Sequence, residues 1–250
     1  MTILISVYIF LLGLVLGSFF NVVALRVPEK KSIVHPPSAC PKCGTRLKTR
    51  DLFPVVSYLF SLGRCRYCKT KVSPIYPLGE LTSALLFLWI YLHFGNHWET
   101  VIGLALVSLL VIITISDLFY MLIPDKVLLA FLPFVLVFRM IIHEQAWWSY
   151  LLGAIAGYVI VVLIVLISKG GMGMGDAKLL FVCGFVVGLP HIVLAFVIAC
   201  FIGTVVGGGL LLLKITKKKT TDTIWPIFGC GHLAFLWLWF DHDRFVFITI

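Results

Sequence analysis

Two aspartates at the ends of apolar stretches are the residues best placed to do chemistry together. Asp117 closes one apolar run, and Asp176 follows the glycine-rich segment Gly170–Gly175 between two further runs. Ionisable side chains at the edge of a membrane span are energetically costly and are usually functional. Glycine lets the backbone bend where a bulkier residue would not, so Asp176 could be directed toward a cavity. We therefore predict that the two carboxyls form a pair.

A carboxyl pair of this kind is suited to peptide hydrolysis. One carboxylate acts as the base toward water, while the other carboxyl, holding the proton that the two share, acts as the acid toward the carbonyl oxygen. The alternative for Asp117 is a solvated acid just beyond a helix end, and Asp176 could instead cap a helix that begins near Ala177. Asp125 is expected to be a helix N-cap. Lys178 is expected to anchor its helix at the membrane interface.

The composition is that of a membrane protein. The chain has 250 residues, of which 61% are hydrophobic and only 12% are charged, and its mean hydropathy is +1.09. Soluble domains are roughly half apolar and about a quarter charged. The fold class predicted is therefore an all-α polytopic membrane protein, and the net charge of +9 does not indicate a nucleic-acid partner.

Apolar windows of sufficient length predict about eight transmembrane helices. They are Ile3–Leu25, Leu78–Phe94, Thr100–Ser116, Val127–Ile142, Tyr150–Ser168, Leu179–Leu189, Ile192–Leu213 and Ile224–Phe240. The sixth is too short to cross a bilayer alone, so we expect it to extend back through the glycines or forward past Pro190.

The positions of the cations predict the orientation. Four connecting segments hold 18 of the 20 Lys and Arg residues, and they are Arg26–Pro77, Asp117–Lys126, Lys169–Lys178 and Lys214–Asp222. Because cytoplasmic loops are enriched in cations, these segments are predicted to be cytoplasmic. The chain is thus expected to be a multi-pass protein of the plasma or inner membrane, in contact with the lipid bilayer, with both aspartates on the cytoplasmic side. The first span lacks the preceding charge of a cleaved signal and is predicted to be retained.

The loop between the first two spans contains two Cys-x-x-Cys pairs, Cys40/Cys43 and Cys65/Cys68, separated by residues 44–64. This spacing is typical of a structural Cys₄ zinc site. Two disulfides are the alternative, but disulfides do not persist in the cytosol. The predicted domains are a first transmembrane helix (1–25), a cytoplasmic zinc loop (26–77) and a transmembrane bundle that carries the aspartates (78–250).

Taken together in this order, the motifs resemble those of the type 4 prepilin peptidases. The resemblance rests on Gly17–Val22 with Arg26–Pro28, on the cysteine pairs with Tyr76–Leu81, on Asp117-Leu118 with Leu122–Asp125, and on Gly173–Leu179, which matches a Gly-x-Gly-Asp motif.

The resemblance implies an aspartyl protease with Asp117 and Asp176 as the catalytic pair. Its substrates would be type IV prepilins or pseudopilins, whose short basic leader would be cut off at the cytoplasmic face. It also implies N-methylation of the new terminal residue from S-adenosylmethionine, with Glu80 as a candidate for the methylation site. The compact length favours the competence-type branch.

Two other functions fit the same patterns. A non-enzymatic membrane assembly factor or channel with a structural zinc loop would tolerate replacement of the aspartates by asparagine. A different intramembrane aspartyl protease would cut general signal peptides without requiring a glycine before the cut. The sequence patterns specify no oligomeric state.

Overall fold

A computed structural model describes residues 2–142, 145–167 and 173–212. In these ranges the helices are α1 (Thr2–Arg26), α2 (Val56–Phe60), α3 (Ile75–Phe94), α4 (Trp98–Tyr120), α5 (Asp125–Ile141), α6 (Trp147–Ile167), α7 (Met174–Val187) and α8 (Leu189–Leu212), with a 3-10 turn at Thr49–Asp51. No strand occurs in the described ranges, and the only β pairing there consists of two isolated bridges in the cysteine loop. The predicted all-α class is confirmed.

The first seven predicted spans coincide with α1 and with α3 to α8, to within a few residues at each end. Of the described helices, α1, α3, α4 and α6 are long and apolar enough to cross a membrane. The eighth predicted span, Ile224–Phe240, lies outside the described residues, as do Gly170 and Gly171. A total of eight spans therefore stays a prediction, and so do the three predicted domains.

The sixth predicted span is the 14-residue helix α7. It extends back to Met174, as expected, but it does not continue past Pro190. Gly188 ends it with φ of 81°, a left-handed conformation that favours glycine and terminates helices. A new helix, α8, starts at the next residue.

The described residues divide into two compact units, one that ends at Ile115 and one that begins at Ser116. In the first unit, α1 packs closely on α3, because Gly17 has no side chain to hold them apart. A Cβ at Gly17 would lie 2.9 Å from the Glu80 Cα. Small residues commonly allow such close approach between membrane helices. The contact brings Ser18 of α1 beside Glu80 and Asn21 beside Gly79.

In the second unit, α7 is packed between α5 and α6. On the α6 side, a Cβ at Gly157 would lie 2.7 Å from the Leu180 carbonyl oxygen, so α6 and α7 are in backbone contact. On the α5 side, the buried Arg139 donates from Nε to the Val186 carbonyl oxygen at 2.7 Å. These contacts fix the helix whose first turn carries Asp176.

Candidate active site

Asp117 lies within the last turn of α4. The helix continues to Tyr120, and the Met121 N–H donates to the Asp117 carbonyl oxygen at 2.8 Å. The residue is only 5% exposed. The alternative of a solvated acid beyond a helix end is therefore wrong, because the helix extends one turn farther than the apolar run indicates.

Asp176 lies in the first turn of α7. Because α7 begins at Met174, with Gly173 as its N-cap, Asp176 does not cap a helix that starts near Ala177. It is 8% exposed. The two predicted site residues are therefore buried, and they lie together in the same compact unit.

The segments that carry the two aspartates are in direct contact. After α4 the chain turns sharply, and the Ser116 hydroxyl donates to the Leu122 carbonyl oxygen at 2.7 Å. The next residue, Ile123, packs on Gly175, where an added Cβ would lie 3.0 Å from the Ile123 Cβ. A larger residue at 175 would separate the turn from α7, so this glycine holds Asp176 beside the segment that follows Asp117.

An ion pair extends this contact. Lys178 Nζ lies 2.8 Å from both carboxylate oxygens of Asp125. The predicted N-cap role of Asp125 is wrong, because Pro124 is the N-cap and Asp125 is the first helical residue. Both side chains of the pair are partly exposed. Sequence reasoning missed this pair because its members are 53 positions apart and nothing local links them.

Two buried carboxyls in one compact unit are the groups that amide hydrolysis by a carboxyl pair requires. When two such carboxyls share one proton, one is available as a base for water while the other is an acid for a carbonyl oxygen. Their surroundings, the end of one apolar helix and the start of another, exclude most water. Such surroundings strengthen electrostatic interactions with charge that develops during a reaction.

The four cysteines of the loop form a second cluster. Their sulfur atoms all lie within 4.8 Å of one another, and the Cys40 and Cys68 sulfurs are 3.7 Å apart. A tetrahedral zinc site with Zn–S bonds of about 2.3 Å requires sulfur separations of roughly 3.8 Å. None of the four forms a disulfide in the structure, which disfavours the disulfide alternative. The residues therefore fit a metal ion.

Each cysteine knuckle also contains a threonine two residues after its second cysteine. The hydroxyls of Thr45 and Thr70 each lie 3.3 Å from the sulfur of Cys43 and Cys68, respectively. Thr70, through its hydroxyl and then its backbone N–H, lowers the pKa of Cys68 to about 6, and Thr45 lowers the pKa of Cys43 in the same way. Thiolates are the metal-binding form. The shared pattern Cys-x-x-Cys-x-Thr was visible in the sequence but was not used.

A cavity of about 480 Å³ lies among α1, the cysteine loop and α3. Its lining includes Glu80, which is 9% exposed and whose Oε2 accepts a hydrogen bond from the Val55 N–H at 2.7 Å. It also includes Asn21, which is 4% exposed and whose Nδ2 donates to the Tyr76 carbonyl oxygen. Asn21 Oδ1 has no hydrogen-bond partner among the described residues. The cavity therefore offers a buried carboxyl and an unpaired amide oxygen to a ligand that donates hydrogen bonds.

Comparison with known proteins covers most of the chain. Residues 11–94 match the bacterial peptidase A24 N-terminal domain, and residues 104–208 match the type IV leader peptidase family. The chain is 37% identical to a prepilin leader peptidase/N-methyltransferase of Bacillus subtilis (strain 168), over 92% of this chain and 93% of that relative. Proteins of the same name from Pseudomonas aeruginosa and Neisseria gonorrhoeae are each 31% identical, over 91% and 83% of this chain and 88% and 82% of theirs. No solved structure matches the chain.

Proposed function

The chain belongs to the type IV leader peptidase family, and on this basis we propose that it is a membrane aspartyl endopeptidase that removes the leader of type IV prepilins or pseudopilins. The family resemblance of the sequence motifs is thereby confirmed. The observation that carries the proposal is the burial of Asp117, in the last turn of α4, and of Asp176, in the first turn of α7, within the same compact unit. Assignment to the competence-type branch stays a prediction.

In the proposed reaction, the ionised carboxylate of the pair takes a proton from water, and the resulting hydroxide attacks the scissile carbonyl carbon. The protonated carboxyl gives its proton to the carbonyl oxygen. When the C–N bond breaks, the proton taken from water passes to the leaving amine. One hydroxyl of the tetrahedral intermediate returns its proton to the other carboxylate as the C=O bond re-forms, so the pair again holds one shared proton. The cation-rich segments support a site on the cytoplasmic side, where an apolar pilin helix in the bilayer would present its leader.

We propose that the cysteine cluster holds a structural zinc ion. Four thiolates fill a tetrahedral shell and leave no position for a water molecule. The metal would stabilise a loop that has no apolar core of its own, as such sites commonly do.

Replacing one zinc ligand is expected to remove the metal. In Cys65→Ser, we expect zinc content to fall to less than about a tenth and residues 38–73 to become sensitive to protease, because structural zinc supplies folding energy. Metal analysis and limited proteolysis measure both effects. The control is Cys183→Ser, which alters a buried cysteine in α7 and should leave zinc unchanged. Zinc retained in full by Cys65→Ser would contradict the assignment.

We further propose that the chain N-methylates the new terminal residue and that S-adenosylmethionine binds in the 480 Å³ cavity. The residues fit this cofactor, because the unpaired Asn21 Oδ1 and the Glu80 carboxyl are acceptors suited to a cationic, donor-rich ligand. The basic residues of the lining, such as Arg26 and Arg66, suit its carboxylate. When bound, the cofactor supplies an electrophilic methyl group.

The Lys178–Asp125 pair is expected to position Asp176. In Lys178→Glu, like charges would face each other at the junction, and we expect kcat for leader removal to fall about threefold to tenfold with KM little changed, because misplacing a reacting group costs rate. The exchanged pair Lys178→Asp with Asp125→Lys should recover most of the loss. A role confined to stability would lower the yield of folded protein and leave the kcat of the folded fraction unchanged.

Co-expression with a candidate prepilin tests the proposed function as a whole. Intact-mass analysis of the recovered pilin should show loss of the leader and gain of one methyl group. A pilin that keeps its leader would exclude the peptidase proposal. A pilin that loses its leader but does not carry the added mass of a methyl group would exclude only methylation.

A further inference from the structure

We infer that residues 52–62, which include α2 and which we call the interfacial segment, insert into the lipid headgroup region of the membrane and form the wall that separates the 480 Å³ cavity from lipid. The inference concerns the placement of this segment and does not depend on which reaction the cavity serves.

The first observation is a concentrated exposure of apolar side chains. The large apolar side chains exposed in this segment are Leu52, Phe53, Val56, Leu59, Phe60 and Leu62. Phe60 and Leu62 are 80% and 86% exposed, as much as Ile3 of the membrane helix α1, at 78%. Large apolar patches on soluble surfaces are rare and mark contact with a partner or a membrane. These side chains therefore have the exposure of lipid-facing residues.

The second observation sets the depth of the segment. The Val55 N–H, just before α2, donates to Glu80 Oε2 at 2.7 Å. Glu80 is in the second turn of α3, a candidate membrane span that begins at Ile75, and a rise of about 1.5 Å per residue places it roughly 7 Å along that helix. The hydrogen bond therefore holds the start of α2 beside the second turn of a candidate membrane span, at the end where the cysteine loop joins it. Interfacial helices lie at such a boundary, with their apolar face buried about 5–10 Å.

The third observation is the amphipathicity of the segment. Within α2, the exposed residues Val56, Leu59 and Phe60 are spaced as one face of a helix. Ser57 lies on another face and, with Ser61 just after the helix, lines the cavity. One side of α2 therefore faces the cavity, while the opposite side carries the exposed apolar residues. An amphipathic helix of this kind is stabilised when lipid covers its apolar side.

The positive charge of the cysteine loop indicates that lipid, rather than a prepilin leader, contacts the interfacial segment. Residues 26–77 contain 11 Lys and Arg but only two acids, Glu29 and Asp51. Arg50 and Arg64 border the segment and are exposed. Anionic headgroups attract such a surface, whereas a basic leader would be repelled. Both ends of the loop continue into membrane helices, so the bilayer is always within reach.

Photo-crosslinking in vesicles tests the inference. Benzoylphenylalanine would be introduced at Phe60, at Leu92 as a lipid-facing reference in α3, and at Lys69 as an exposed reference in the cysteine loop. The full-length protein would be reconstituted with a prepilin in phosphatidylcholine–phosphatidylglycerol vesicles. We expect lipid adducts at positions 60 and 92 and few at position 69. A position-60 adduct with the prepilin or with another part of the chain, or the absence of any adduct, would overturn the inference.

Hydroxyl-radical footprinting of the unmodified protein in the same vesicles gives a second measurement. Each oxidation rate is divided by that of the free amino acid, and by exposure of the protein alone the normalised rate of Phe60, at 80%, should exceed that of Tyr67, at 39%. If lipid covers the interfacial segment, the order reverses, because water and radicals do not reach Phe60. Faster oxidation of Phe60 than of Tyr67 would exclude insertion.

Discussion

In Asp117→Asn and in Asp176→Asn, we expect leader removal to fall by about 10³-fold or more, while the proteins still insert and remain folded. Each substitution keeps the shape of the side chain but removes either the base or the shared proton, and catalytic groups that act as a unit lose nearly all their effect when one is removed. Cleavage of a prepilin under single-turnover conditions measures the chemical step directly.

The matched control for this experiment is Asp125→Asn. It makes the same chemical change at the start of α5, where the carboxylate is paired with Lys178 and partly exposed. We expect at most the several-fold decrease of a lost positioning contact. A second control is methylation of a pilin whose leader has already been removed, which both catalytic variants should still perform, because Glu80 belongs to the other compact unit. Normal cleavage by either aspartate variant would exclude Asp117 and Asp176 as the catalytic pair.

The two aspartates could be selected as candidates from the sequence because ionisable residues are costly in membrane spans. Asp117 and Asp176 interrupt long apolar stretches, and the cation bias predicts that both lie on one side of the membrane. The hydropathy pattern did not predict the local backbone conformation at each aspartate. The end of α4 is set by a tight turn at Met121, which has φ of 51°, and hydropathy carries no information about such a turn.

The contacts between the segments that carry the two aspartates could not be predicted from the sequence, for a different reason. The Lys178–Asp125 pair and the packing of Ile123 on Gly175 join segments that are about fifty residues apart. Such contacts depend on how α5 and α7 pack, and packing cannot be derived from the periodicity of either helix alone. The four clustered cysteines are the opposite case, since their fixed local spacing predicts a metal site before any tertiary structure is known.

In the first compact unit, the sequence predicted some of the cavity residues but not the contacts that bring them together. Glu80 was a candidate only through the family resemblance, and its burial against Val55 and Ser18 was not foreseen. Asn21 was part of a matched motif without an assigned role. The structure brings the two residues to one cavity because Gly17 and Gly79 leave room: a Cβ at Gly79 would lie 3.0 Å from Asn21 Oδ1.

The second large effect is expected at this cavity. In Glu80→Gln, we expect the rate of methylation to fall by about 10²-fold or more, while leader removal stays within about twofold of the unmodified protein. Glutamine can still accept the hydrogen bond from the Val55 N–H, so the fold at the start of α2 is kept. What it cannot do is accept a proton from the new terminal ammonium group, which must be neutral before its nitrogen can be methylated.

The pH profile distinguishes this role from a merely structural one. If Glu80 takes the proton, raising the pH should recover part of the lost methylation in Glu80→Gln, because more of the terminal amine is then already neutral in solution. A packing defect would not respond in this way. Glu99→Gln is the matched control, since it changes the other buried glutamate of the same unit and should leave methylation nearly unchanged. Equal loss of methylation in both variants, or undiminished methylation in Glu80→Gln, would exclude Glu80 from the methylation site.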